Sequence, residues 1–104
     1  MLDHFFRSQH LIARLRGNPG VESLDAFAGH LVDCGYSRSQ GARHLRAAAH
    51  LLHWLDGKHF LLTEIDAAAV IRFECHLARC RCSGFTGMHR DKLLRGIRAF
   101  MAFQ

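Results

Sequence analysis

Proline occurs once in this chain, at Pro19, and nowhere do β-branched residues alternate with polar ones over the length of a strand. The first absence leaves room for uninterrupted helices, and the second removes the pattern that half-buried strands need. No apolar run approaches the roughly 20 residues that a membrane-spanning helix requires. The N-terminus, Met1-Leu-Asp-His-Phe-Phe-Arg7, places an acid and a base too early for a secretion signal. Cys34, Cys75, Cys80 and Cys82 are therefore not expected in a secretory context, and three of them crowd together. Reduced thiols in a cytoplasmic protein are expected rather than a disulfide framework. There is no Gly-rich phosphate loop, and the nine histidines form no dyad or triad pattern with a carboxylate, serine or thiol. Most of them are expected on polar helix faces.

What remains is ordinary globular composition with an unusual charge distribution. The chain has 104 residues, 49% of them hydrophobic, enough for one domain with a single core. Its net charge is +5. Through residue 74 the bases and acids balance. Beyond it, Arg79, Arg81, Arg90, Lys92, Arg95 and Arg98 face only Asp91. A second stretch, Ser37 to Leu55, has Arg38, Arg43 and Arg46 and no acid. Bases segregated in this way suit a polyanionic partner.

The periodicity predicts an all-α fold, a compact four- to five-helix bundle without repeats, low-complexity tracts or domain boundaries. A first helix is expected over Leu2 to Arg16, stopped by Gly17 and the turn Asn18-Pro19-Gly20. A second runs from about Val21 to Cys34, with Gly35 suited to the left-handed position after it. Ser37 with Gln40 reads as a capping box that opens a helix to Leu55, with Gly41, Leu45, Ala48, Leu52 and Leu55 on its core stripe. Thr63 to Asp66 reads as another box, followed by a stripe of Val70, Phe73, Leu77 and Cys80. After Gly87 a last helix turns Leu93, Leu94, Ile97, Phe100 and Met101 inward.

At 100° per residue, Ser39, Arg43, Arg46, His50 and His53 share the face opposite the core stripe of the Ser37–Leu55 helix. Lys92, Arg95 and Arg98 share the outward face of the last helix. Guanidinium groups on rigid helices can bond phosphates and fork onto a guanine edge. Any surface helix needs a polar face, but solvated faces normally mix charges for i,i+4 pairing, and the Ser37–Leu55 face has no acid. Cys75, His76, Cys80 and Cys82 are zinc-ligand types at poor spacing, since Cys75 and Cys80 point about 140° apart on a helix. No metal or other cofactor is expected.

The segments Leu24 to Ser37, Ala42-Arg-His-Leu-Arg46, His50-Leu-Leu-His-Trp-Leu55, Leu62-Thr-Glu-Ile-Asp66 and Leu93-Leu-x-x-Ile-Arg-x-Phe100 occur in an order that resembles the N-terminal core-binding domain of tyrosine recombinases, the phage-integrase superfamily. The resemblance spans residues 21 to 104, leaving 1 to 20 as an N-terminal extension of helix and turn. Gln40, Gly41 and the Cys80-Arg-Cys82 loop depart from the family pattern.

The resemblance implies a SAM-like helical domain that clamps duplex DNA, for integration or recombination carried out by a separate catalytic domain. It also implies a nucleoid-associated location and a domain that is monomeric alone. The DNA-binding residues it implies are Ser39, Arg43, Arg46, His50, Arg90, Lys92, Arg95 and Arg98. That family's chemistry needs a tyrosine downstream of a His-x-x-Arg pair. His76-Leu-Ala-Arg79 fits the pair, but the only tyrosine, Tyr36, precedes it, so no catalytic residue is expected. Two other readings stand beside this one. One is a protein-interaction bundle that recruits Trp54 to an exposed apolar patch. The other is a small metal-binding protein or thiol enzyme built on the Cys75–Cys82 cluster.

Overall fold

The computed structural model describes residues 2–59, 61, 65–77, 79 and 90–104. These form α1 (Leu2–Phe5), α2 (Gln9–Arg16), α3 (Val21–Asp33), α4 (Arg38–Gly57), α5 (Ala67–Leu77) and α6 (Arg90–Phe103). The fold is all-helical, with no strand among the described residues.

The segment expected as one helix over Leu2 to Arg16 is two. Phe5 and Phe6 are both buried, and adjacent residues on one helix point about 100° apart. The break after Phe5 lets both rings reach the core. Ser8 then restarts the helix, its Oγ accepting from the Leu11 N–H at 3.2 Å. Leu2, Phe5, Phe6, Ile12 and Leu15 all belong to the main core, so this N-terminal stretch is packed into the bundle. The turn after α2 is tied to α4, because Asn18 Nδ2 donates to the Ala49 carbonyl at 3.0 Å while its Oδ1 accepts from the Gly20 N–H.

α3 ends as its sequence predicts. Gly35 takes φ +77°, the Gly35 N–H donates to the Val32 carbonyl, and the Tyr36 N–H donates to that of Leu31. Those two bonds satisfy carbonyls that a helix C-terminus otherwise leaves bare. Ser37 caps α4, accepting from the Gln40 N–H at 3.1 Å. α4 runs through Gly57, and the left-handed residue beyond it is His59, at φ +60°. The cap of α5 is Asp66, whose Oδ1 accepts from the Ala69 N–H at 2.8 Å. Thr63, expected to cap that helix, lies outside the described residues, as does Cys80 on its stripe.

α4 is the central helix, and its most extensive packing is against α6. The two approach closely because Gly96 lies against the Ala47 methyl group and the His44 backbone. Gly41 plays the same part for α1, since a Cβ there would fall on the Phe5 ring. α3 closes the other side through Phe27, whose ring meets Phe100 edge-on at 5.1 Å. Leu45, Leu52, Phe73, Ile97 and Phe100 are buried as expected, whereas Leu77, the last residue of α5, is half-buried against the edge of the core. Trp54, expected off the core stripe, is buried as well, because α5 covers that side of α4 and brings Phe73 to 5.5 Å.

Candidate nucleic-acid interface

The N-terminal half of α4 presents Ser39, Arg43 and Arg46. Ser39 is exposed and both arginines are half-buried. Arg43 Nη1 donates to Ser39 Oγ at 3.3 Å, so two of the residues expected to touch DNA meet one turn apart. Arg38, from the same acid-free stretch, instead turns back to the N-terminus, where its Nε donates to the His4 carbonyl at 3.1 Å. On α6, Lys92, Arg95 and Arg98 are exposed. The side chain of Arg90 lies outside the described residues. The two basic faces thus belong to the pair of helices that pack most extensively, joined where Gly96 meets Ala47 and His44.

His50 does not belong to this face. It is 1% exposed, with Phe73 at 5.1 Å and His76 at 5.5 Å between ring centroids. The helical wheel places it beside Arg43 and Arg46, but Phe73 and His76 of α5 stand against it and close it off, while His53, three residues on, stays exposed. Burial, reinforced by the neighbouring His76 and His53, lowers its pKa from 6.5 to about 4. A neutral, enclosed imidazole cannot contact a phosphate.

His44 is buried too, edge-on to the Tyr36 ring at 5.3 Å, and its Nδ1 finds no hydrogen-bond partner among the described residues. Its pKa is lowered by burial and then by the charge of Arg43. The expectation that histidines mostly occupy polar faces therefore fails at His44 and His50. Both sit on the one helix that is surrounded by others.

Covering α4 with α5 also creates a cleft that the helical pattern alone does not announce. It is open to solvent, has a volume of about 750 Å³ and is lined by Trp54, Lys58, Arg72, Cys75, His76 and Arg79. Arg72, Cys75, His76 and Arg79 follow i, i+3, i+4, i+7 spacing, a stripe visible in the sequence. What the sequence could not show is that Lys58 and Trp54 face it from another helix. Burial, and then the charge of Lys58, lower the pKa of His76.

Cys34 and Cys75 are free and exposed. Among the described residues no three His, Cys, Asp or Glu side chains converge as a metal site would require, and Cys82, like Cys80, lies outside them. No described helix is long and apolar enough to cross a membrane. No protein-family model, curated protein or solved structure matches the chain.

Proposed function

We propose that this chain is a duplex-DNA-binding module of the kind that tyrosine recombinases use as a core-binding domain, with strand exchange left to a separate catalytic domain. One observation carries the reading. Two basic helix faces, Ser39-Arg43-Arg46 on α4 and Lys92-Arg95-Arg98 on α6, reach solvent on adjacent, closely packed helices. The acid-free face of α4 lacks the mixed charges of an ordinary solvated helix. The single acid of α6, Asp91, sits in its first turn, where the helix dipole favours a carboxylate.

Phosphate contacts dominate the affinity of such a surface and position the protein on the duplex, while base edges in the groove supply sequence preference. The reading assigns no strand-cleaving chemistry to Tyr36, whose half-buried ring packs edge-on to the His44 imidazole. The rival interaction-module reading loses the anchor expected for it, because Trp54 is 8% exposed.

Fluorescence anisotropy with a labelled duplex tests the proposal. Binding in the micromolar range that weakens steeply with added salt is expected, the behaviour of non-specific phosphate contacts. Supercoiled plasmid incubated with the protein should stay supercoiled. Affinity that is flat from low to high salt would exclude a phosphate-contacting surface.

A further inference from the structure

We propose that the cleft between α4 and α5 is an anion-binding site, which takes a phosphate-bearing ligand between Lys58, Arg72 and Arg79 beside Trp54. The cleft is open to solvent, with a volume of about 750 Å³ that falls in the range of small-molecule sites, and no described carboxylate lines it. Among the described residues the His76 imidazole and the Cys75 thiol also line it. Three basic side chains thus line one space.

Helix-end electrostatics explain part of this arrangement. Lys58 is the C-terminal cap of α4, His76 lies in the last turn of α5, and Arg79 follows just beyond, where cations oppose the negative end of a helix dipole. Arg72 lies inside α5 and has no such role. The fold also brings the two helix ends together, so the cations that each end attracts now repel one another. An anion in the cleft relieves that repulsion.

The chemistry favours a phosphoryl group. Guanidinium forks bond its oxygens in pairs, and Lys58 adds a point charge. The Arg79 N–H donates to the His76 carbonyl at 3.0 Å, which continues the turn and keeps Arg79 on the stripe with Arg72. Burial of Trp54 against Phe73 gives the cleft one fixed apolar wall. Free oligophosphate and a nucleotide share this phosphoryl chemistry.

Trp54 is the only tryptophan in the chain, so its emission reports on this cleft alone. Pyrophosphate titrated at constant ionic strength should produce a saturable change, with isothermal titration calorimetry detecting any complex that is optically silent. The exposed pair Arg72→Ala with Arg79→Ala should weaken binding about tenfold or more, as loss of charge-assisted hydrogen bonds does. Arg7→Ala with Arg16→Ala, both exposed and neither lining the cleft, should leave it unchanged. Adenosine monophosphate bound more tightly than inorganic phosphate assigns the site to nucleotides, and equal binding assigns it to free oligophosphate.

No saturable signal by either method overturns the proposal. So does equal weakening by both double variants, which would reduce the effect to net charge. The proposal does not rest on the duplex reading. Pyrophosphate binding by a protein that ignores duplex DNA would refute that reading and leave this one standing.

Discussion

The imidazole of His50 stands edge-on to the ring of Phe73, with centroids 5.1 Å apart and planes at 86°. The contact puts a titratable group in the α4–α5 interface, where only its neutral form is tolerated. Its pKa falls from 6.5 to about 4, so in the acid range the unfolded chain binds a proton that the folded chain refuses. Stability is therefore complete above pH 6.5 and is lost as pH falls from there toward 4. The His50 contribution to that loss is roughly 3 kcal/mol across the whole window. His44 and His76 shift in the same direction and add to it. Urea denaturation at pH 7.5, 6 and 5 should show a falling midpoint, and His50→Leu should flatten the fall. An unchanged midpoint, or an undiminished slope in the variant, contradicts the buried neutral imidazole.

Gly41 and Phe5 form the contact that docks α1 on α4. In an isolated helix, Gly→Ala stabilises by about 1 kcal/mol. At position 41 the new methyl meets the Phe5 ring, and overpacking of this kind costs about 1–3 kcal/mol. Gly41→Ala alone should therefore destabilise. In a Phe5→Ala background the ring is gone, and the same change should become neutral or stabilising. A double-mutant cycle by denaturant unfolding measures the coupling. Additive effects would mean that the two residues do not touch.

Phe100 is fully buried and meets Phe27 edge-on. Truncation to Ala should lower unfolding free energy by about 3–5 kcal/mol. A loss below about 1 kcal/mol, typical of surface changes, would contradict its place in the core.

Much of this fold is legible in the sequence, and the reasons differ by element. Gly35 and Ser37 are local devices, each needing only its own neighbours to act, and both work as their residue types imply. The apolar stripe of α6 is legible because one of its faces stays in water. α4 is harder to read. A helix surrounded by others no longer divides into one wet and one dry face, so its wheel misplaces His50 and Trp54. The break at Phe6 is hidden for another reason. Either residue of the Phe5-Phe6 pair suits a continuous helix, and only the demand to bury both interrupts it.

Gly96 sets the separation of the two helices that carry the basic faces. A Cβ there would lie 2.8 Å from the Ala47 Cβ and 3.1 Å from the His44 Cα, so α4 and α6 must move apart to admit it. If DNA spans both faces, Gly96→Ala should weaken duplex binding beyond any fraction lost to unfolding. Helical content measured by circular dichroism at the assay temperature gives that correction. Full affinity in a folded Gly96→Ala protein would show that the two faces do not act as one surface.

Position and net charge make different demands on the arginines. Arg43 and Arg46 lie on the acid-free face of α4, whereas Arg7 and Arg14 are exposed in the charge-balanced N-terminal region. Each pair removes two positive charges when changed to Ala, so a binding mode driven by net charge responds equally to both. A docking face responds unequally. Arg43→Ala with Arg46→Ala should weaken duplex affinity and reduce the slope of log affinity against log salt by about two, roughly one for each phosphate left without its arginine. Arg7→Ala with Arg14→Ala should change the slope little. His50→Leu, although on the same helical wheel face as Arg43, should also leave it unchanged, because that side chain is enclosed under α5. Equal losses in the two arginine pairs would leave attraction by net charge and remove the interface on α4.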